Sequence, residues 1–242
     1  IKPDMRAVEA AINANTVALI CSAPEGNFGI PDPVEEFSDL AQRKGLYLHV
    51  DAAFGGFILP FMRELGYEVP AFDFSLPGVT SIMTDGHKLG LLPVATGFFL
   101  VRDKELLTAI PTEETFIHTL TATKPGDHAA AAWAVMQHLG REGYRETVRR
   151  ALEARQVILD GVESINGVRM VVKPVITVLT FTSDIYDVET IYRGLHTRGW
   201  GCSYGHIAGV DRIRLSLHPF RDTHHAHQFV QALEEAVMDA RP

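Results

Sequence analysis

Residues Ser81 to Gly90 read Ser-Ile-Met-Thr-Asp-Gly-His-Lys-Leu-Gly, and this stretch decides the fold. Its apolar start predicts a buried strand, and the pair His87-Lys88 ahead of a glycine predicts that the strand stops there in a sharp turn. A lysine at such a strand end is partly removed from water, which favours the neutral amine, the nucleophilic form. We therefore expect Lys88 to carry the chemistry.

A second apolar stretch, residues 46–51, reads Leu-Tyr-Leu-His-Val-Asp and predicts a strand that ends in Asp51. It is followed by Ala-Ala-Phe-Gly-Gly at residues 52–56. The carboxyl ends of parallel strands share one edge of an open sheet, and ligands bind in the crevice at that edge. Asp51 and Lys88 are therefore expected to meet there, although they are far apart in the sequence.

An amine and a carboxylate in one crevice suit pyridoxal phosphate as the cofactor. The amine takes the cofactor aldehyde as a Schiff base, and the carboxylate keeps the ring nitrogen protonated, so that the ring draws electrons from the substrate. His87 is a further candidate for contact with the cofactor, and Gly55-Gly56 predicts a close approach of the backbone to its ring. The alternatives are structural: a strand-end Asp often caps the next helix, and a strand-end Lys is usually solvated.

Composition narrows the class of protein. The chain has 242 residues, 46% of them hydrophobic, and a net charge of −8, which argues against a nucleic-acid or anionic-membrane partner. The longest apolar runs, residues 52–62 and 91–101, are too short to span a bilayer, so no membrane span is expected. The two cysteines are too few for a disulfide framework, which favours a reducing, cytoplasmic location.

The first part of the sequence alternates helices and strands. We predict helices over residues 3–15 and 34–44, the second between Pro33 and the stop signal Gly45. Predicted strands cover residues 16–21, 46–50, 73–85 and 96–102. This order predicts an α/β fold whose sheet is mostly parallel and doubly wound.

After Gly126 the pattern changes. We predict helices over residues 129–139, 144–165, 188–198 and 223–238, and strands over residues 168–172, 175–182 and 212–217. This half is expected to be a smaller α+β domain, so that residues 1–139 form the later part of a large cofactor-binding domain and residues 140–242 a small C-terminal domain. The spacing of Trp133, Met136 and Leu139 predicts core positions.

Three histidines, His224, His225 and His227, invite a metal interpretation, which we reject. Position 225 points away from the face that 224 and 227 share on a helix, and no nearby Cys or carboxylate completes a ligand set. No metal site is predicted.

Short motifs in sequence order carry a resemblance to a known family. They are Ser22-Ala23-Pro24, Gly29-Ile30-Pro31-Asp32-Pro33-Val34, His49-Val50-Asp51-Ala52-Ala53, Gly55-Gly56-Phe57, Phe72-Asp73-Phe74, Gly78-Val79-Thr80-Ser81-Ile82 before His87-Lys88, Thr123-Lys124-Pro125-Gly126, Leu139-Gly140-Arg141-Glu142-Gly143-Tyr144 and Arg198-Gly199-Trp200. The chain resembles the group II pyridoxal-phosphate-dependent decarboxylases, most closely the sphingosine-1-phosphate lyase and glutamate decarboxylase-like branch. The resemblance implies the fold type I of pyridoxal-phosphate-dependent transferases.

The resemblance also implies site residues. Lys88 would carry the Schiff base, Asp51 would bond the pyridine nitrogen, Ala53 would pack on the ring and His87 would contact the cofactor. Thr123 would reach the cofactor phosphate of a partner subunit, which implies a homodimer with shared active sites; Lys124 stands where the family usually has Arg.

Two further implications concern the substrate and the rest of the protein. Arg212 and Arg214 lie on one face of a predicted strand, and the resemblance favours Arg214 as the group that holds a substrate carboxylate. The phosphate-binding loop and the ring-stacking residue of the family stand upstream of the part seen here, so we expect a longer polypeptide.

Two departures from the family pattern bear on the reaction. Val94 occupies the place of a second lysine that holds the substrate phosphate in the lyases, which makes a phosphorylated substrate less favoured. No tyrosine lies between Tyr67 and Tyr144, so His118 is our candidate for the proton donor. We predict a carbon–carbon lyase, first an amino-acid decarboxylase acting on a small amino-acid or amine substrate. The alternatives are a sphingosine-1-phosphate lyase-like aldehyde-lyase and a cofactor-less scaffold that kept the fold.

Overall fold

A computed structural model describes residues 1–108 and 126–241. Its elements up to the gap are α1 (Met5–Ala11), β1 (Ala18–Ser22), α2 (Val34–Lys44), β2 (Tyr47–Asp51), α3 (Leu59–Glu64), β3 (Ser81–Asp85), β4 (Gly97–Val101) and α4 (Glu105–Thr108). Those after it are α5 (Asp127–Ser164), β5 (Val168–Met170), β6 (Val178–Ser183), α6 (Val188–Thr197), β7 (Ser203–Ile207), β8 (Val210–Ser216) and α7 (Thr223–Asp239). The elements form two four-stranded sheets.

The first sheet has the strand order β1-β2-β3-β4. The pairs β1–β2 and β2–β3 are parallel, and α2 is the crossover helix between β1 and β2. β4 runs antiparallel to β3. The predicted mostly parallel α/β sheet is therefore present, with an antiparallel strand that follows the turn after Lys88.

The two faces of this sheet differ. The face that packs against α2 carries fully buried side chains such as Leu48 and Val50. On the other face Ile20, Tyr47 and Phe99 are 69%, 56% and 57% exposed. Parallel sheets are normally covered on both faces. Within the described residues, one face of this sheet therefore lacks its cover.

The second sheet has the order β5-β6-β8-β7 and is antiparallel throughout. Its core joins buried residues of β6, such as Phe181, to Phe229 of α7 and Ile158 of α5. This is the small α+β unit that the sequence predicts. β7 was not predicted, because Ser-Tyr-Gly-His-Ile is largely polar and its strand structure comes from pairing with β8.

Helix α5 differs from the prediction in two ways. It is continuous apart from Gly140, whose φ of 55° and ψ of −172° place a kink where we expected a break; Gly143 is part of the helix. Trp133 is 68% exposed, so the predicted core position is wrong for this residue. Beyond the kink, Leu152 packs in the first core and Ile158 in the second. The division at residues 139 and 140 stays a prediction.

Among the described residues, no helix combines the length and the apolar character needed to cross a membrane.

Candidate active site

The ends of β2 and β3 form the centre of the site. Ala52 N–H donates to the Met83 carbonyl at 2.9 Å, and Asp85 N–H donates to the Ala53 carbonyl at 3.3 Å. These bonds join the turn after β2 to the end of β3. Asp51 and the turn that carries Lys88 therefore lie at the same edge of the sheet, as the sequence predicts.

Two glycines allow the turn after Asp51 to pack this closely. A Cβ at Gly55 would lie 1.8 Å from the Ala23 carbonyl oxygen, and one at Gly56 would lie 2.2 Å from Thr84 Oγ1. Real side chains do not approach so closely, so both positions require glycine. We expected these glycines to make room for a cofactor ring; the structure shows that they make room for the neighbouring strand ends.

Lys88 is held by two groups that the sequence analysis did not single out. Its Nζ lies 2.9 Å from Asp85 Oδ2, and it lies 4.1 Å from the centre of the Phe54 ring. The Lys88 side chain is 29% exposed and that of Asp85 is 16% exposed. The solvated-lysine alternative is therefore not what the structure shows. The sequence offered one signal for this ion pair: Asp85 stands three residues before Lys88.

His87 is fixed by the strand that follows the site. Its Nδ1 lies 3.0 Å from the Thr96 carbonyl oxygen, and its backbone N–H donates to the same oxygen at 3.1 Å. Because a carbonyl only accepts, Nδ1 carries a proton, and in the neutral ring Nε2 is then the acceptor. Nε2 lies 3.8 Å from Asp85 Oδ2. His87 thus lies in the same cluster as Lys88 and Asp85.

Asp51 is half-buried and engages its own turn. Its Oδ1 accepts the Ala53 N–H at 3.0 Å within this turn. The next helix, α3, has Ile58 at its N-cap and no side-chain cap, so the helix-capping alternative is not what the structure shows. Oδ2 has no hydrogen-bond partner within the described residues. One carboxylate oxygen thus remains for a ligand, and half-buried Ala53 stands beside it in the turn.

Cys21 lies behind the same edge. Burial, together with the charges of Asp32 and Asp51, raises the pKa of its thiol to about 12. The thiol is therefore protonated at neutral pH and is not a nucleophile of this site.

Arg214, on β8 of the second sheet, reaches the first. Its Nε donates to the Gly26 carbonyl at 2.6 Å, and its guanidinium carbon lies 5.6 Å from the centre of the Phe54 ring. Burial and the nearby charge of Arg212 lower the pKa of Arg214. Both arginines lie on one strand face, as predicted, and neither forms an ion pair in the part of the chain that is described.

Arg212 is buried and binds the loop of residues 25–29, to which Gly26 also belongs. Its Nη2 donates to Asn27 Oδ1 at 3.0 Å and its Nη1 to Ser203 Oγ at 3.2 Å, while its Nε has no partner in the described regions. Burial lowers its pKa as well.

The loop from Glu25 to Gly29 links the two sheets, and the sequence analysis missed it. The Glu25 carboxylate accepts the N–H groups of Asn27 and Phe28 at 2.7 and 2.9 Å, which shapes the loop. The Thr180 hydroxyl of β6 donates to the Asn27 carbonyl. The sequence signal for this turn is the run Pro24-Glu25-Gly26-Asn27, which is rich in turn-forming residues. The loop ends at Gly29, which adopts a φ of 68°.

Further residues that we considered from the sequence are His118, Thr123, Lys124 and His225. His118, Thr123 and Lys124 lie outside the described residues. His225 is hydrogen-bonded to Asp222 at the start of α7, so a carboxylate does lie beside these histidines, contrary to our expectation. Within residues 1–108 and 126–241, no group of three or more His, Cys, Asp or Glu side chains is arranged to hold a metal ion.

Comparison with known proteins identifies the family. The sequence profile of the pyridoxal-dependent decarboxylase conserved domain matches residues 4–184. The chain belongs to this family. The predicted resemblance is confirmed, and with it pyridoxal phosphate as the cofactor of the family.

Similar proteins include decarboxylases and lyases. A probable L-aspartate decarboxylase of Thermococcus gammatolerans is 38% identical over 241 residues, which are 97% of this chain and 61% of that protein. A sphingosine-1-phosphate lyase of Oryza sativa subsp. japonica is 37% identical over 245 residues, 97% of this chain and 44% of that protein. The chain thus spans less than two thirds of the length of these relatives.

Solved structures agree on the fold. The sphingosine-1-phosphate lyase of Burkholderia pseudomallei K96243 superposes with a TM-score of 0.89 at 33% identity, covering 99% of this chain and 56% of that one. A Lactobacillus brevis glutamate decarboxylase superposes with a TM-score of 0.87 at 20% identity, over 99% of this chain and 59% of that one, which shows the fold alone. The predicted fold type I is confirmed.

Proposed function

We propose that this chain is the part of a pyridoxal-phosphate-dependent amino-acid decarboxylase that supplies the amine and the carboxylate for the cofactor. The observation that carries the proposal is the placement of Asp51 and Lys88 at one sheet edge, in a chain of this family. The chemistry expected from the bound cofactor is withdrawal of electrons from the substrate's α-carbon.

The residues present fit such a cofactor. Lys88 has a primary amine that is partly exposed and would take the aldehyde after release from Asp85. Asp51 has one carboxylate oxygen without a hydrogen bond in the described part, and this oxygen would take the ring N–H. His87 offers Nε2 as an acceptor, and Ala53 offers a small side chain beside Asp51. These four roles are part of the proposal.

The proposed substrate is an acidic amino acid, with aspartate as the first to assay. Arg214 would hold its carboxylate, since the guanidinium lies at the site and forms no ion pair among the described residues. The neighbouring Arg212 adds a second positive charge on the same strand face. Relatives named L-aspartate decarboxylase, 36–38% identical, support this choice.

A second candidate function is cleavage of a long-chain amino alcohol phosphate to an aldehyde. The likeness to the solved sphingosine-1-phosphate lyase favours it. Val94 weighs against it, because this residue stands where the lyases have a phosphate-binding lysine, and its side chain is 80% exposed and apolar. We therefore rank decarboxylation first.

Two further parts of the proposal concern residues outside the described ranges. His118 is proposed as the proton donor after loss of the carboxylate, and Thr123 as the contact to a partner subunit's cofactor in a homodimer. A cytoplasmic location is proposed from the two cysteines, which are both free thiols.

The open sheet face supports a longer polypeptide. Ile20, Tyr47 and Phe99 expose apolar surface on that face, and β1 is an edge strand of the described sheet. A further part of the same protein would cover the face and pair with β1. We include this completion, and the division into residues 1–139 and 140–242, in the proposal.

The test uses the longer protein that contains this chain. Borohydride reduction in the presence of pyridoxal phosphate, followed by peptide mapping, should place the label on Lys88, and the matched control Lys104→Arg should leave it there. Decarboxylation of aspartate should yield β-alanine, and Asp51→Asn should lower turnover by orders of magnitude while retaining some cofactor. Label on another lysine, or aldehyde release from an amino alcohol phosphate as the main reaction, would overturn the assignment.

A further inference from the structure

Phe54 is in contact with cations that come from two different sheets. The Nζ of Lys88 lies 4.1 Å from the centre of its ring, and the guanidinium carbon of Arg214 lies 5.6 Å from it. Both distances are within the range in which the negative face of an aromatic ring attracts a cation. The amine at the end of β3 and the guanidinium on β8 are thus brought together by one side chain.

The ring is held in place by its surroundings. Gly55 and Gly56, which follow Phe54, pack against the Ala23 carbonyl and the Thr84 side chain. On another side the ring borders Gly26, where an added Cβ would lie 3.3 Å from Phe54 Cε2. The Gly26 carbonyl also accepts the hydrogen bond from the arginine of β8. The ring is therefore held by turns of the first sheet, and Arg214 of the second sheet is hydrogen-bonded to one of these turns.

The charges around the ring are unequal. Asp85 lies 2.9 Å from the Lys88 ammonium and compensates it, whereas Arg214 has no ion-pair partner among the described residues. Like charges that share one ring repel each other, and the attraction of both cations to the ring offsets part of that repulsion. Glu25 attracts the Arg214 charge but forms no ion pair with it among the described residues, so this charge is only partly compensated and remains available to an anion.

We propose that Phe54 is a positioning residue for the reaction. Its ring fixes the position of the Arg214 guanidinium relative to Lys88. The guanidinium would hold the substrate carboxylate, and Lys88 would hold the cofactor. This inference rests on the proposed function of the two cations. It assigns to Phe54 a role that an aliphatic side chain of similar size does not fill.

The variants are Phe54→Leu, which keeps apolar volume without a ring, and Phe54→Tyr, which keeps the ring. The matched control is Phe57→Leu, because Phe57 follows in the same segment and contacts the rings of Phe98 and Tyr144 instead. All are made in the longer protein, loaded with cofactor. Loss of one cation–ring contact should raise KM for the acidic amino acid about fivefold.

Further kinetic readouts separate positioning from general damage. In Phe54→Leu, kcat should change by less than about twofold, because Lys88 is already engaged with the cofactor in the loaded enzyme. Inhibition by succinate, a dicarboxylate without an amine, should weaken by the same factor as KM. Phe54→Tyr should restore both values, and Phe57→Leu should leave both near those of the wild type.

A spectroscopic readout does not depend on activity. In the cofactor-free protein, Lys88 is reductively methylated with isotope-labelled formaldehyde and a borane or cyanoborohydride reductant, and its methyl signal is assigned with Lys88→Arg. The signal should show an aromatic ring-current shift that Phe54→Leu removes and that Phe54→Tyr and Phe57→Leu keep.

The outcomes distinguish the two proposals. An active enzyme in which Phe54→Leu changes neither KM nor the methyl signal would overturn the role of Phe54, as would equal changes in Phe57→Leu. A ring-current shift in a wild-type protein that does not decarboxylate amino acids would confirm the position of Phe54 and refute the proposed function instead.

Discussion

Replacing Tyr144 with phenylalanine tests how firmly α5 holds the loop that follows Lys88. The Tyr144 hydroxyl donates to the Gly90 carbonyl at 2.9 Å, and both residues are buried. The ring packs against Phe57 and Phe61 at 5.7 and 5.6 Å between ring centres. Because phenylalanine keeps these ring contacts, the substitution removes the hydrogen bond and little else.

The expected loss of stability depends on the buried Gly90 carbonyl, which the variant leaves without its hydrogen-bond donor. A hydrogen bond of this kind contributes about 1 kcal/mol, and a buried carbonyl left without its donor raises the loss to about 1–3 kcal/mol. The assay is urea unfolding of the protein. The midpoint should fall while the slope stays constant, because the surface exposed on unfolding is unchanged. Tyr204→Phe is the control, since this tyrosine is partly exposed and the change there should stay within about 0.5 kcal/mol.

The same pair of proteins makes a pH prediction. Burial raises the pKa of Tyr144 above its ordinary value of about 10. The protonated hydroxyl therefore stabilises the fold at every pH below about 10, and this contribution is lost as the pH rises through the higher folded value. The stability difference between wild type and Tyr144→Phe should shrink only in that alkaline range. Equal stability of the two proteins at pH 7 would refute the reasoning.

Three further predictions test other parts of the structure. Gly55→Ala places a Cβ 1.8 Å from a backbone carbonyl oxygen and should destabilise by at least about 1–3 kcal/mol in thermal unfolding, while Gly201→Ala, with nothing within 4 Å, should not. Cys21 and Cys202, whose pKa values burial raises to about 12 and about 11, should react with a thiol reagent at pH 8 only after unfolding. Hydrogen bonds from the next turn lower the pKa of Asp222 to about 2, so the stability lost in Asp222→Ala should be largest above pH 4 and should vanish as the pH falls towards 2.

Local signals predicted the parts of the fold that depend on local physics. Helix α2 begins and ends where Pro33 and Gly45 predict, because Gly45 adopts a φ of 66° that ends the helix with two backbone hydrogen bonds. The positions of Asp51 and Lys88 at strand ends were predictable for a similar reason. Each residue follows a short apolar run that forms a strand with one buried face.

Features that depend on distant partners were not predictable in the same way. Trp133 has helical spacing typical of a core residue, yet in the described part of the chain nothing covers it, and it is 68% exposed. The strand β7 needs β8 beside it. The contact of Phe54 with Arg214 joins residues far apart in the sequence, and the residue pattern around neither of them predicts it.

The arrangement of charge connects these observations to the proposed substrate. Asp85 compensates Lys88 before any cofactor binds, so the amine is held at the strand end without adding net charge to the site. The remaining positive charges belong to Arg214 and Arg212, which form no ion pair within the described ranges, and burial makes these charges costly unless an anion meets them. Under the proposed function, the first sheet therefore supplies the groups for the cofactor and the second supplies the selection for an acidic substrate. Substitution of Arg214 should for this reason change which amino acids react, while Lys88 still takes up the cofactor.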